Sequence, residues 1–559
     1  MAKSSSNTDQ IVFLPLGGLG EIGMNAALYG FGREGQRKWL LVDCGVSFAG
    51  PEAPGVDLVL PDLRFLIEER KNLVGIIITH AHEDHIGALV ALWPKLKVPV
   101  YCTRFAAGLL ETKRLNEPGA PRIPLTIVPQ GGRVSLAPFD VEFVSVAHSI
   151  PESNALAIRT PAGLVVHTGD WKIDPTPQVG LPTDEKRFRE LGEEGVIALI
   201  CDSTNVMREG ISPSEADVAA TLKQLIASAP ARVAVTTFAS NVARLKAVAE
   251  AARACHREVV VVGRAMDRVI DVARECGYLD GLPAFRSAET YGFLPRDKVV
   301  CLLTGSQGEP RAALARIAQD DHPEIALSPK DRVIFSSRTI PGNEKAVGGI
   351  LNALALQGVE IVTDRTQLVH VSGHPRRDEL KMMYEWIKPQ VAIPAHGEPL
   401  HLSEHAAFAR AQGVPKVIMA GNGDMIVIAG LDSGKISEVA HGRVYQDGLL
   451  QVAALEKTIP ERKKLSVAGI ISVAVAVDDK GVIAGEAEIS VMGLPPRTRD
   501  GVPFEELIAD AVDDLIETLP KARRRDPVAL RTSLEKAVRG AVAHEWGKKP
   551  VVHALVVEI

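Results

Sequence analysis

Short apolar runs, each halted by a cluster of polar, ligand-type residues, recur through the first four-fifths of this 559-residue chain. Residues 73–79 run into HAHEDH, 164–167 into TGD and 196–200 into CDSTN. Residues 232–237 run into FASN, 299–303 into TGSQG and 391–394 into AHGEP. Each pattern predicts a buried strand whose C-terminal end releases a polar loop. Helical periodicity fills the intervals, as at 214–227, 241–254 and 343–356. Strands alternating with helices predict an α/β architecture that carries its chemistry on loops at strand ends.

A chain of this length is expected to hold several domains. A hydrophobic fraction of 46% and a charged fraction of 24% exclude wholesale disorder. The six cysteines are scattered without a CxxC pair, which reads as reduced thiols rather than a disulfide framework. The polar start MAKSSSNTDQ lacks the apolar core of a signal peptide, and no apolar run reaches the roughly 18–20 residues that span a bilayer. These features predict a cytoplasmic protein with no membrane partner. The net charge of −6 gives no support to nucleic-acid binding through bulk charge. A local basic run at 521–549 is the one candidate, and it reads most simply as a solvated helix face.

The hexapeptide His80-Ala81-His82-Glu83-Asp84-His85 carries five residues of metal-ligand type. Imidazoles and carboxylates together suit zinc or manganese better than calcium or magnesium, which prefer oxygen alone. Positions i and i+2 diverge on a helix, so His80 and His82 can converge only on a loop leaving a strand. His148, Asp170 and His396 follow other strand-like runs. Together the set suffices for two metals that share a bridging carboxylate and leave positions open for water and substrate.

HAHEDH followed by His148 and Thr168-Gly169-Asp170 resembles the metallo-β-lactamase superfamily, with Asp43 matching a residue that orients ligands from behind. The segment between Asp202 and His370 resembles the β-CASP insertion of its nucleic-acid-cutting branch, with Asp202, His374 and His396 at the added motifs. PLGGLGEIGMN, DSTN, TTFASN, TGSQGEP, IPGNE and HVSGH are similar to strings of the bacterial ribonuclease J family. The resemblance implies a metallo-β-lactamase αββα sandwich split over 1–205 and 365–430, with a β-CASP α/β domain at 206–364. A linker at 431–463 and a small C-terminal α/β domain at 464–559 would complete the chain.

It further implies a ribonuclease with 5′→3′ exonuclease activity on 5′-monophosphorylated RNA, endonuclease activity, and roles in mRNA decay and rRNA maturation. Two divalent cations per subunit are implied, zinc first and manganese as the alternative. His80, His82 and His148 would hold one, and Asp84, His85 and His396 the other, with Asp170 bridging. Hydroxide formed between them would attack phosphorus in line. Asp84, Asp202 and His374 are the implied catalytic residues, with His374 as proton donor or phosphate ligand. Phe238, Ala239, Ser240 and Asn241, with His370, Val371, Ser372, Gly373 and His374, are the implied substrate contacts, although core packing accounts for Phe238 as well. A homodimer or homotetramer and RNA-decay partner proteins are expected. The alternatives are a β-CASP DNA nuclease and a non-enzymatic RNA-binding scaffold with a structural metal.

Two further segments carry expectations. Gly18, Gly20 and Gly23 fit the spacing of a dinucleotide fingerprint, but residues 25–29 read as a second strand rather than a helix. The glycines are therefore expected to form a tight turn beside the metal site. In the C-terminal segment, 465–477 and 482–491 predict a hairpin around a turn at 478–481, followed by helices at 504–518 and 527–545 and a strand at 551–559.

Overall fold

A computed structural model describes residues 8–454 and 456–559; most of the polar opening tract considered above lies outside them. The described residues divide into two compact units, 8–47 with 60–443, and 48–59 with 444–454 and 456–559.

The first unit is built on two facing sheets. One has eight strands in the order Gly434–Glu438, Asp424–Ile428, Gln10–Gly17, Ala26–Gly32, Lys38–Val42, Leu73–Ile77, Val100–Cys102 and Leu125–Ile127. The other has seven, in the order Lys416–Val417, Val391–Ala395, Val196–Asp202, Gly163–His167, Asn154–Thr160, Phe139–Ser145 and Arg133–Leu136. Alternation along each strand decides which core a side chain joins. Val165 packs between the sheets with Phe13, Tyr29, Leu40 and Ile77. Val166, its neighbour, turns outward to Phe188 and Trp386 on the helices Glu185–Glu194 and Arg377–Ile387. Helices thus cover the sandwich, giving the expected αββα layering.

Val196–Asp202 and Val391–Ala395 are parallel neighbours, with Asp202 opposite Ala395. Between them the chain builds a separate five-stranded parallel sheet in the order Glu258–Val262, Val299–Leu303, Val233–Thr236, Arg332–Phe335, Glu360–Val362. It returns through Arg377–Ile387. The glycine-rich segment does turn directly from the strand Gln10–Gly17 into Ala26–Gly32, with Gly18, Gly20 and Gly23 all at positive φ.

In the second unit, Ile470–Val477 pairs with both Ile483–Met492 and Val551–Glu558. Phe504–Thr518 and Pro527–Trp546 close over this sheet through Ile508, Val512, Leu530, Leu534 and Val538. Residues 465–468, expected to open the hairpin, instead finish the helix Thr458–Ala468, which Gly469 ends at φ +65. The interval 431–463, expected as a linker, carries strands at Gly434–Glu438, Arg443–Asp447 and Leu450–Ala453. Among the described residues no helix is long and apolar enough to cross a membrane.

Candidate metal centre and substrate loop

The C-terminal ends of six strands converge at one rim of the sandwich. They carry Asp43, the 79–85 loop, His148, Asp170, Asp202 and His396. His80 and His82 leave their strand extended, and a single helical turn, Glu83–Ile86, then carries Asp84 and His85. Two non-glycine residues of the rim, Asp43 at φ +63 and His396 at φ +50, hold left-handed backbone. Conformations of that kind persist where surrounding contacts over-determine them.

Three groups of ligand atoms share Asp170: His80, His82 and His148 on one side, Asp84, His85 and His396 on the other, and a third in which Asp202 and His374 join His396. In the first, Nε2 of His80 and Nε2 of His148 each lie 3.1 Å from Nδ1 of His82. Hydrogen bonds on the far side of each ring fix the tautomers. Nδ1 of His148 donates to the Gly373 carbonyl at 2.7 Å. Nδ1 of His80 meets Thr79 Oγ1 at 3.0 Å, and that hydroxyl's own proton goes to Asp43 Oδ2 at 2.8 Å. Both Nε2 atoms therefore present lone pairs toward His82, the tautomer that backs a metal-ligating imidazole. All three rings are held neutral. Burial, reinforced by the neighbouring imidazoles, pushes His80 and His148 well below the usual histidine range and His82 to about 4.

In the second group, Nδ1 of His85 donates to Asp43 Oδ2 at 2.7 Å, which turns Nε2 toward Asp170 Oδ2 at 3.3 Å and Asp84 Oδ2 at 3.6 Å. His396 lies 2.7 Å from Asp170 Oδ1 and 3.4 Å from Asp84 Oδ2. Burial opposes charge on these groups, but here the carboxylates win. His85 is raised well above its ordinary value by Asp170, Asp84 and Asp43, and His396 rises to about 10 beside Asp170. Burial likewise opposes charge on Asp84 and Asp170, and the facing histidines hold both carboxyls low. Asp170 Oδ1 and His396 Nε2 are buried with only these ion-pair contacts and no hydrogen bond of good geometry. Converging lone pairs, orphaned buried ligand atoms and a mixed imidazole–carboxylate donor set fit divalent cations of the zinc or manganese type.

His374 stands beside this centre. Its Nδ1 donates to Asp202 Oδ2 at 2.7 Å, leaving Nε2 free, and Asp202 with Asp170 raises its pKa against the effect of burial. The loop 370–374 has Val371 in the core, Ser372 Oγ accepting from His374 N at 3.3 Å, and Gly373 tied to His148. His370 is pushed down to about 3 by burial and by Arg244 and Lys172, and its Nδ1 has no partner. Phe238, Ala239 and Ser240 are half-buried in their loop. The Asn241 side chain caps the helix Val242–Ala254 by accepting from Arg244 N at 3.0 Å. Arg377, near HVSGH in sequence, is engaged with Val206 O, Glu209 and Glu404.

Sequence reasoning missed Thr79, which relays Asp43 to His80, and Asn25, whose Nδ2 reaches Asp84 O and His85 Nε2 at 3.1 Å each. Asn25 closes the quoted string PLGGLGEIGMN, so its signal was present without a role. Glu379 was missed too. It is fully buried and accepts from Ile173 N, Ser212 N, Ser212 Oγ and Arg376 N.

Two facing sheets under helices, with a histidine–carboxylate centre at their rim and a parallel α/β module between two central strands, define a metal-dependent hydrolase of the metallo-β-lactamase fold with a β-CASP insertion. Family models agree: the metallo-beta-lactamase superfamily matches residues 25–263, the ribonuclease J beta-CASP domain 230–354, the Zn-dependent metallo-hydrolase RNA specificity domain 358–419, and the ribonuclease J C-terminal domain 457–559. The chain is 54% identical over 551 residues to ribonuclease J of Sinorhizobium meliloti, covering 99% of this chain and 98% of that one. It is 38% identical to ribonuclease J of Mycolicibacterium smegmatis, covering 97% and 96%, and 35% identical to that of Thermus thermophilus, covering 94% and 96%. A solved structure of a protein of unknown function from Enterococcus faecalis V583 shares the fold at TM-score 0.52 and 17% identity, covering 75% of this chain and 100% of that one. The chain belongs to the ribonuclease J family and is a metal-dependent, RNA-binding nuclease.

Proposed function

We propose that the chain degrades RNA 5′→3′ from a 5′-monophosphate end, also cuts internally, and serves mRNA decay and rRNA maturation. The observation that carries this reading is the hydrogen bond from His148 to Gly373, which joins the 370–374 loop to the first ligand group. A terminal phosphate held by that loop would lie beside the reacting centre. His80, His82, His148 and Asp170 would hold one divalent cation, and Asp84, His85, Asp170 and His396 the other, zinc being the first choice. Such cations, when bound, supply an activated water and neutralise phosphate charge.

The remaining steps belong to the chain. Ser372 Oγ, backbone N–H groups of the loop and the imidazole of His370 hold the terminal phosphate oxygens. Phe238 offers a half-buried ring for a base to stack on. His374, oriented by Asp202 and biased by it toward the protonated form, donates from Nε2 to the departing 3′ oxygen. The C-terminal unit has its own core and, among the described residues, no ligand cluster, which supports a role in homodimer or homotetramer assembly.

The test compares degradation of one RNA sequence bearing 5′-monophosphate, 5′-triphosphate or 5′-hydroxyl ends, in parallel with metal analysis. Each buried donor left unpaired by a hydroxyl end costs about 1–3 kcal/mol, so monophosphate RNA is expected to be the fastest by at least about tenfold and to yield mononucleotides. Equal rates for the three ends overturn the end-binding assignment.

A further inference from the structure

The two segments assigned to substrate, 238–241 and 370–374, lie far apart in sequence, and one side chain joins them. Arg244 sits on the first turn of the helix Val242–Ala254, where Asn241 caps its backbone N–H at 3.0 Å. Its guanidinium is fully buried. Nη1 donates to Val369 O at 2.8 Å, to Ser336 O at 3.0 Å and to Ser336 Oγ. Nη2 donates to Glu215 Oε2 at 3.0 Å. Ser336 Oγ in turn donates to Val369 O at 2.7 Å. Val369 immediately precedes the substrate loop, and Gly373 near its other end accepts from His148. The loop is thus pinned at both ends, by Arg244 on one side and by a ligand of the metal centre on the other.

The same network reaches the loop that carries Asp170. Glu215 N donates to Asp174 Oδ2 at 2.9 Å, and Lys172 Nζ lies 3.0 Å from that oxygen. Lys172, Asp174 and Glu215 are each at most 2% exposed. Buried ion pairs contribute little net stability, because apolar side chains of similar volume serve as well. What a guanidinium supplies that an apolar group cannot is a rigid fork that fixes several acceptors at once.

We propose that Arg244, with Glu215 and Ser336 as its partners, is a positioning residue that sets the 370–374 loop against the 238–241 loop and the metal centre, and so determines how strongly the enzyme discriminates for a 5′-phosphate end. This rests on the end-binding reading above. Arg244 touches neither substrate nor reacting atoms in this scheme. It acts through Val369, and its loss is expected to blunt end recognition while sparing hydrolysis that needs no end.

The experiment uses the full metal-loaded protein with Arg244→Lys, Ser336→Ala and Glu215→Gln. Lysine keeps the charge opposite Glu215 but lacks the fork. Each variant is first checked for native circular dichroism and metal content. kcat and KM are then measured on 5′-monophosphate and 5′-hydroxyl RNA of one sequence, and on bis(p-nitrophenyl) phosphate, a diester too small to need the loop. Arg244→Lys is expected to cut the monophosphate-to-hydroxyl ratio of kcat/KM by about tenfold, and Ser336→Ala by about threefold, mainly through KM. Turnover of the small diester should stay within about threefold. Folded variants that keep the wild-type ratio overturn the proposal, as does an equal loss on all three substrates. Should Arg244→Lys fail to fold, Ser336→Ala decides alone. A wild type that itself shows no end preference refutes the end-binding reading, and this inference with it.

Discussion

Replacing Asp43 with asparagine tests the logic of the metal centre at one buried atom pair. The carboxylate is 1% exposed and accepts three hydrogen bonds: Thr79 N at 2.8 Å on Oδ1, and Thr79 Oγ1 at 2.8 Å and His85 Nδ1 at 2.7 Å on Oδ2. Asparagine keeps one acceptor and turns the other into a donor. If the amide nitrogen replaces Oδ2, it faces His85 Nδ1–H, and the ring must carry its proton on Nε2, the nitrogen turned toward Asp170 and Asp84. If it replaces Oδ1, it faces the Thr79 backbone N–H. Either arrangement costs about 1–3 kcal/mol for a buried donor without an acceptor, and loss of such a backing group lowers metal affinity by roughly 10–100-fold. A cation at the proposed Asp84, His85 and His396 site should weaken by that factor. The group of His80, His82 and His148 keeps its Gly373 anchor and should change less. Metal content after dialysis against graded chelator, read beside circular dichroism, resolves the two. Metal retained at wild-type affinity would refute the argument, as would metal released only where the protein unfolds.

Other perturbations give equally direct readouts. A Cβ on Gly373 would lie 2.5 Å from the His148 ring, so Gly373→Ala should displace that imidazole and cut RNA hydrolysis by about 100-fold or more without unfolding, measured as activity beside a thermal melt. Glu142 resists burial through hydrogen bonds from Arg187, Arg133 and Arg159, which hold it near 2 against an ordinary 4.5. A depressed carboxyl stabilises the fold fully above the unfolded value and loses that contribution as pH falls toward the folded one. The stability gap between wild type and Glu142→Gln should therefore be largest above about pH 5, at most roughly 3 kcal/mol, and close toward pH 2 in acid-unfolding curves. Chelation should abolish hydrolysis and leave the circular dichroism spectrum intact, because the inter-sheet core of Phe13, Tyr29, Phe143 and Val165 includes no ligand. Residues 457–559, expressed alone, should melt cooperatively, and their removal should lower the oligomeric state seen by light scattering.

Most of the strand framework and the histidines and aspartates clustered at the rim were legible in the sequence, because both are local signals, whereas Thr79 and Asn25 beside them were not. An apolar run such as 73–77 followed at once by histidines predicts a strand and its loop without knowledge of what packs nearby. What escaped depends on long-range partners. Nothing in the neighbourhood of Arg244 shows that its acceptors are Ser336 and Val369, and Glu379 looks like any surface acid on an amphipathic helix. Asn241 is an instructive middle case. Its place ahead of an apolar-periodic run is an N-cap signal, and a side chain already bonded to Arg244 N has its carbonyl oxygen engaged. The helix ending at Ala468 was hidden because its last apolar residues continue into the strand that follows. Only Gly469, left-handed in the structure, marks the boundary.

Asp202 and Ala395 lie side by side on adjacent parallel strands, although almost two hundred residues separate them in sequence. Between such neighbours an ordinary crossover needs only one helix, and Arg377–Ile387 already supplies it. The five-stranded module is therefore spliced into a connection that was complete without it, much as a subroutine is called from a single line of code. Its hydrophobic core is its own, so its surface can diversify without disturbing the sandwich. Yet the splice begins at a residue that orients His374 and ends beside the residue that orients His148. An architecture of this kind lets the module's surface change while the rim of the sandwich stays fixed, and it ties both ends of the splice to that rim through Asp202 and Gly373.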